Sequence, residues 1–194
     1  CVQLSDCWSI WIAGENDIYK INCLDLQDQN KAQDMAYNRL SLPLFPKDIK
    51  IISIDAFKHS KTEIIYLGIT LHTLETNEIY LYIYHYQDDT FKINEKQEII
   101  TLNYVPFQII HNTNDQFIIS GNDQQLHLYN HDNNSTTTTN NIMISINKEL
   151  NFTVTFLSYQ ELYIEHKKQL YQVYCCGGQL GDVLIIMINV KNED

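Results

Sequence analysis

His127 and His131 are the histidines whose spacing would let two imidazoles bind one metal ion. They lie four residues apart, which places two imidazoles on one face of a helix, where they can ligate zinc. His127, however, belongs to the alternating run Leu126-His127-Leu128-Tyr129, which is typical of a strand. We therefore expect a hydrogen-bonded or solvent-facing strand histidine here and no metal site.

Asp55 and Asp123 could act as a pair of catalytic carboxylates if the fold brought them together. Each has a simpler interpretation. Asp123 follows Gly121-Asn122, where an Asp side chain bonds the backbone N–H groups of a tight turn. Asp55, near the end of an apolar run, can tie neighbouring sheets together. We expect structural roles for both.

The cysteines favour reduced thiols over metal or disulfide chemistry. Cys175 and Cys176 are adjacent, so on a strand they point to opposite faces and cannot ligate one zinc in the Cys-x-x-Cys manner. The others are Cys1, Cys7 and Cys23, which makes the total odd, and most lie in strand-like runs. This pattern indicates buried thiols in the cytosol and not a disulfide framework.

Composition and motifs exclude several functions. No glycine-rich phosphate motif and no Gly-x-Ser-x-Gly elbow occurs in the sequence. A net charge of -11 repels phosphate backbones and anionic membranes, so nucleic acid is not an expected partner. No apolar stretch approaches the roughly 20 residues that span a bilayer. We predict no catalytic, cofactor-binding or metal residues, and no cofactor.

Four tyrosines form a stripe on one strand. Tyr80, Tyr82, Tyr84 and Tyr86 alternate with other residues, which places the four phenols on one face. Such a stripe can be a partner surface, because tyrosine is enriched at interfaces. Packing between sheets is the favoured interpretation, since aromatic side chains bury large areas.

The elements that position these residues come from a repeated hairpin. An apolar strand ending in a small residue and glycine leads through an Asn/Asp turn into an alternating strand, a β-hairpin signature. Clear copies lie at 10–22 and 117–129, and looser ones at 64–84 and 172–186. The glycines at their centres recur roughly every 55 residues, close to a propeller-blade period; they are Gly14, Gly68, Gly121 and Gly178.

Three further strands precede hairpins, at Ile49 to Phe57, Pro106 to His111 and Phe152 to Leu157. About four strands per repeat predicts an all-β, WD-repeat-like β-propeller, of which this chain would supply about three to four of about seven blades. A sandwich or barrel is the alternative, but it shows turn signals without the longer period. We expect residues 1–194 to be one partial propeller domain, cut from a longer chain.

Two stretches do not fit strands. The polar segment from Asp25 to Ser41 could hold a short helix but lacks a periodic apolar face. Residues 130–141, rich in Asn and Thr, are too polar to offset the entropy of ordering them, which predicts a low-complexity surface loop.

Three ordered segments together resemble the kaptin family. They are Ile51 to Phe57 with Leu67 to Thr70, then Val105 to His111, then Ile119 to Asp123 with Leu126 to Tyr129. The similarity is good from about Leu42 to Tyr129, weaker from Trp8 to Asp25 and faint from Tyr174 to Asn189. The long Asn/Thr loop departs from the family pattern, as does the absence of a second half of the propeller.

The resemblance implies a non-catalytic scaffold. Kaptin-like proteins help to hold the KICSTOR complex on the lysosomal surface, where it restrains TOR signalling when amino acids are scarce. They are also linked to actin filaments and the cytoskeleton. The expected partners are thus KICSTOR-like subunits or actin, in the cytoplasm and at the lysosomal membrane through partners. A propeller-fold enzyme is a further alternative, which would need a polar cluster at the central channel.

Overall fold

The computed structural model describes residues 2–4, 7–14, 16–22, 38–62, 64–87, 90–93, 98–130, 142–143 and 152–190. In this part the chain is all-β, and its strands form four antiparallel sheets. The chain divides into two compact units, Cys1–Asn103 and Tyr104–Asp194.

The first unit contains two sheets, in which, with one exception, each strand pairs with the next strand along the chain. Sheet 1 consists of β1 (Val2–Leu4), β2 (Cys7–Ala13), β3 (Ile18–Asn22) and β4 (Asn38–Arg39). Sheet 2 consists of β5 (Ile49–Lys58), β6 (Ile65–Thr73), β7 (Ile79–Gln87), β8 (Thr90–Lys92) and β9 (Ile99–Leu102). Both β8 and β9 pair with β7, β8 near the end of that strand and β9 near its start.

The second unit repeats this plan. Sheet 3 consists of β10 (Pro106–His111), β11 (Gln116–Gly121), β12 (Leu126–Asn130) and β13 (Ile142–Met143). Sheet 4 consists of β14 (Val154–Ile164), β15 (Gln169–Gly178) and β16 (Val183–Val190). A single 3₁₀ turn, Glu165–Lys167, joins β14 to β15, and Lys168 closes it in the left-handed conformation.

A β-bulge recurs at the same place in three sheets. In sheets 2, 3 and 4 the first strand carries one extra residue near its start, opposite the end of the second strand. The extra residues are Ile52, Phe107 and Thr155. Because bulges bend a strand at a defined point, their repetition shows that these sheets share one construction.

The core of the first unit lies between sheets 1 and 2. Its buried side chains come mainly from one face of sheet 2 and include Leu67, Ile69 and Tyr84, with Ile18 from sheet 1. The connection from β4 to β5 adds Leu40, Leu42 and Phe45. Because successive side chains of a strand point to opposite faces, the alternating apolar residues of each strand lie on one face of the sheet.

The core of the second unit lies between sheets 3 and 4. Ile118, Leu126 and Leu128 of sheet 3 pack with buried side chains of sheet 4, among them Leu157 and Tyr174. The side-chain oxygen of Gln108 also accepts a hydrogen bond of 2.7 Å from the backbone N–H of Leu157. This bond fixes the first strand of sheet 4 against the first strand of sheet 3.

Most predicted strands are confirmed, with shifted ends. The segment predicted from Pro106 to His111 matches β10, whereas the one predicted from Phe152 begins at Val154 and extends to Ile164. Gly68 does not end a strand: it lies in the middle of β6, opposite Asp55. Leu71 occupies the position in sheet 2 that Gly121 occupies in sheet 3, beside the bulge.

The two irregular stretches fall largely outside the described residues. Of the predicted loop 130–141, only Asn130 is described, where it ends β12. Residues 23–37, which include most of the segment considered for a short helix, lie outside the described part. The described residues contain no helix long and apolar enough to cross a membrane.

Candidate interaction surface

Two tyrosines of the stripe pack in a core and do not form a free surface. Tyr82 and Tyr84 are buried in the core of the first unit, where their rings stack with centroids 6.1 Å apart. Tyr84 also donates a hydrogen bond of 3.0 Å from its hydroxyl to the backbone oxygen of Pro43. Tyr80 is half-buried, and its hydroxyl bonds the carboxylate of Glu78 at 2.6 Å. The packing interpretation is therefore confirmed for Tyr82 and Tyr84.

The adjacent cysteines point to opposite faces of sheet 4, as predicted. Cys176 is buried in the core of the second unit, and burial raises the pKa of its thiol to about 11. Cys175 is half-buried on the other face, in a row with Ser158 and Ile185. Both thiols are free. No group of three potential metal ligands occurs among the described residues.

His127 is a hydrogen-bonded strand histidine, as the alternating pattern predicted. Its Nε2 donates to Oδ2 of Asp123 at 2.7 Å, and its ring stacks on Tyr104 with centroids 3.9 Å apart. The hydroxyl of Tyr104 bonds that of Tyr129 at 3.0 Å. We call these four residues the His127 cluster. His131 lies outside the described residues.

The His127 cluster orients an imidazole with a carboxylate, as acid–base catalysts do, but the nearby serine is misplaced. Ser120 pairs with Leu126 across the β11–β12 ladder, while His127 pairs with Ile119. Because neighbouring residues of a strand face opposite sides, the Ser120 hydroxyl lies on the sheet face away from the imidazole. A Ser-His-Asp arrangement is therefore not formed by these residues.

The two aspartates considered as a catalytic pair lie in different structural elements. Asp123 lies in the turn after β11, as expected, but its side chain bonds His127 and not the backbone N–H groups of the turn, so that part of the prediction is wrong. Asp55 lies inside β5, which continues to Lys58, so it does not close its strand. The two belong to different compact units.

Sequence reasoning missed Tyr104, which completes the His127 cluster from the connection before β10. The nearby backbone explains how it is held. The N–H of Val105 donates to the side-chain oxygen of Asn122 at 2.9 Å, and the N–H of Asn122 donates to the backbone oxygen of Val105 at 3.0 Å. This paired contact fastens the connection to the β11–β12 turn. No local sequence signal links residues so far apart.

We expect Asp123→Ala to lower the free energy of unfolding by about 1–3 kcal/mol, because it leaves a buried imidazole N–H without its acceptor. Asp123→Asn should lower the free energy of unfolding by less, since the amide oxygen can still accept the hydrogen bond. Pulse proteolysis across a urea series compares the variants. Equal midpoints for Asp123→Ala and the parent protein would show that the bond does not stabilise the fold.

The protein should lose stability in alkali through its buried phenols. Burial raises the pKa of Tyr104, Tyr129 and Tyr84 above the ordinary value. Each phenol therefore ionises more readily in the unfolded state than in the folded one. Its contribution to the free energy of unfolding is complete below about pH 10 and is lost as the pH rises further. Urea midpoints should fall above about pH 10, together with a rise in tyrosinate absorbance. Tyrosinate formation with an unchanged midpoint would contradict this.

One face of sheet 4 is an uncovered apolar surface. The side chains that alternate with the core residues of β16 are exposed, namely Val183, Ile185 and Met187. Phe156 and Leu162 of β14 are exposed on the same face. We call this surface the outer face of sheet 4. The sequence of β16 could have indicated this surface, because β16 is apolar at nearly every position, which is typical of a strand covered on both sides.

The fold and these surfaces define a class of protein, an all-β chain of consecutive antiparallel sheets with an apolar face on its last sheet. A family model described as the KICSTOR complex protein kaptin matches residues 9–194. The chain belongs to the kaptin family, which confirms the resemblance found in the sequence. A comparison with curated proteins gave no match.

Proposed function

We propose that this chain is part of a β-propeller that acts as a non-catalytic, protein-binding scaffold in a KICSTOR-like complex. There it would restrain amino-acid-dependent TOR signalling at the lysosomal surface. The observation that carries the proposal is the family match, which spans residues 9–194 and is therefore not limited to one motif.

The sheets support a propeller. Each described sheet is built on an antiparallel meander of consecutive strands, the construction of a propeller blade, and sheet 2 adds β9 beside β7. Within the first unit β1 lies beside β5, and within the second β10 lies beside β14. In a propeller, the innermost strands of successive blades approach each other around a central channel. The first strands of these sheets approach each other in the way expected of such innermost strands. On this proposal the four sheets are blades of a propeller larger than residues 1–194.

The surface chemistry supports protein partners. A net charge of -11 disfavours direct binding to nucleic acid or to anionic lipid. Attachment to the lysosome would then run through other subunits, with the protein itself in the cytoplasm and peripheral to the membrane. No cofactor is needed for such a role.

Affinity purification of the intact protein from its own cells, with and without amino acids, tests this proposal. Mass spectrometry should identify lysosomal nutrient-signalling subunits. Tyr84→Phe, which keeps the buried ring, should retain these partners, whereas the destabilised Tyr84→Ala variant should recover less of them. Recovery of none of them with the parent protein would refute the scaffold role.

The same experiment distinguishes the nutrient-signalling role from the alternative role in the cytoskeleton. An acidic protein has no electrostatic advantage in binding an acidic filament, so we expect little actin at physiological salt. Recovery of actin and its regulators alone would favour the cytoskeletal function over the nutrient-signalling one.

A further inference from the structure

The hairpin of β14 and β15 is longer than the hairpin of β10 and β11 against which it packs. After the bulge, four residue pairs follow in sheet 3, the last of them His111 with Phe117. Nine follow in sheet 4, the last of them Ile164 with Gln169. At about 3.4 Å per residue, the five additional pairs extend sheet 4 by about 17 Å. We call this extension, residues 160–173, the overhang of sheet 4.

The hydrogen bonds between the β10–β11 turn and β14 lie where the overhang begins. The hydroxyl of Thr113 in that turn lies 2.7 Å from the hydroxyl of Tyr159, and it also donates to the carboxylate of Glu161. Tyr163 follows two residues further along the same face and is 57% exposed, whereas Leu157 on that face is buried. The overhang therefore exposes an aromatic ring on the face that elsewhere in sheet 4 packs against sheet 3.

The turn of the overhang concentrates positive charge in an acidic chain. It contains Lys167 and Lys168, both exposed, which are the only two adjacent Lys or Arg residues of a sequence whose net charge is -11. Of the overhang's two carboxylates, that of Glu161 accepts the bond from Thr113. An acidic surface is repelled by the net charge of this protein but attracted by the two lysines, so electrostatics direct it to the overhang.

We propose that the overhang of sheet 4 docks a protein partner that holds Tyr163 in an apolar pocket and pairs carboxylates with Lys167 and Lys168. Tyrosine is among the residues that dominate binding energy at interfaces, and charges around it select the partner. The inference rests on the proposed scaffold function and names a surface for it. A protein is favoured over an anionic membrane, because two lysines attract such a membrane only weakly against a net charge of -11.

Photo-crosslinking from position 163 tests the contact. The intact protein carrying Tyr163→benzoylphenylalanine is expressed in its own cells and irradiated, and mass spectrometry identifies the cross-linked peptides. We expect cross-links to one subunit that co-purifies with the parent protein, at a segment that contains Asp or Glu. The cross-link identifies both the partner and the part of its surface that meets the overhang.

Substitutions measure the apolar and the charged part of the contact separately. Tyr163→Ser should lower recovery of the cross-linked subunit by about tenfold or more, as expected for an interface anchor. Lys167→Glu should lower it several-fold, and replacing an acidic residue of the cross-linked segment with lysine should restore it. Lys61→Glu changes an exposed lysine in the β5–β6 turn and, as the matched control, should leave recovery unchanged. Urea midpoints equal to that of the parent protein show that each variant is folded.

Each other outcome overturns the inference. Cross-links confined to the same polypeptide would mean that the protein covers its own overhang, and cross-links to a second copy would assign the overhang to self-association. Flotation of the parent protein, but not of Lys167→Glu, with phosphatidylserine vesicles would assign it to a membrane. Equal recovery of partners by the parent protein and by Tyr163→Ser would refute this surface and leave the scaffold role intact. A parent protein that recovers no partner would refute both.

Discussion

Replacing Tyr84 with alanine is expected to lower the free energy of unfolding by about 3–5 kcal/mol, the range for removing a large aromatic side chain from a core. The ring is fully buried and meets Phe45 and Phe91 edge to face, with centroids 6.4 and 6.3 Å away. Its hydroxyl bonds the backbone oxygen of Pro43. The substitution thus leaves a cavity and removes the hydrogen bond to Pro43.

Two matched variants separate these contributions. Tyr84→Phe removes only the hydroxyl and should cost about 1 kcal/mol, the net value of one hydrogen bond. Tyr80→Ala, on the same strand face but half-buried, should cost clearly less than Tyr84→Ala. Urea midpoints by pulse proteolysis measure all three. If Tyr80→Ala and Tyr84→Ala were equally destabilising, sheets 1 and 2 would not pack around Tyr84 as described.

Gly121→Ala is expected to lower the free energy of unfolding by about 2 kcal/mol through overpacking. A Cβ atom at this position would overlap Cδ2 of Tyr104 and lie 3.0 Å from the backbone oxygen of Val105. Tyr104 cannot easily move away, because its ring stacks on His127 and its hydroxyl bonds Tyr129. The strain therefore falls on the whole His127 cluster.

Gly14→Ala is the matched control for Gly121→Ala. Gly14 also stands at the end of the second strand of its sheet, but a Cβ atom there would meet its neighbours at 3.4 Å or more, an ordinary contact. We expect a change within about 0.5 kcal/mol. Equal effects of the two substitutions would show that loss of glycine at a strand end, and not contact with Tyr104, determines the cost.

Much of the local structure was predictable from the sequence, since strand alternation and turn residues are short-range signals. The hairpins around Gly14 and Gly121 were predicted by their apolar strands and Asn/Asp turns, and both are present. The short strands β1, β4, β8 and β13 were missed. Strands of two or three residues carry too few side chains to show a period, and their existence depends on pairing with a longer neighbour.

The glycine repeat shows where pattern reading failed. Gly68 matched the expected spacing, but it lies in the middle of β6, and Leu71 stands at the position equivalent to Gly121. A glycine can occupy a strand interior for reasons of packing, so its spacing alone does not locate a strand end. The recurring bulge is the more reliable marker of the repeat, and it is visible only in the pairing of the strands.

The sequence by itself determined the all-β class, the family and the face of each strand on which a side chain lies. Period-two alternation is a property of the extended backbone, so Cys175 and Cys176 had to point in opposite directions wherever the strand was placed. Tertiary structure decided which face is covered. It buried Tyr84 and Cys176, placed Tyr104 on His127 and left Ile185 exposed, because coverage depends on contacts between residues far apart in the chain.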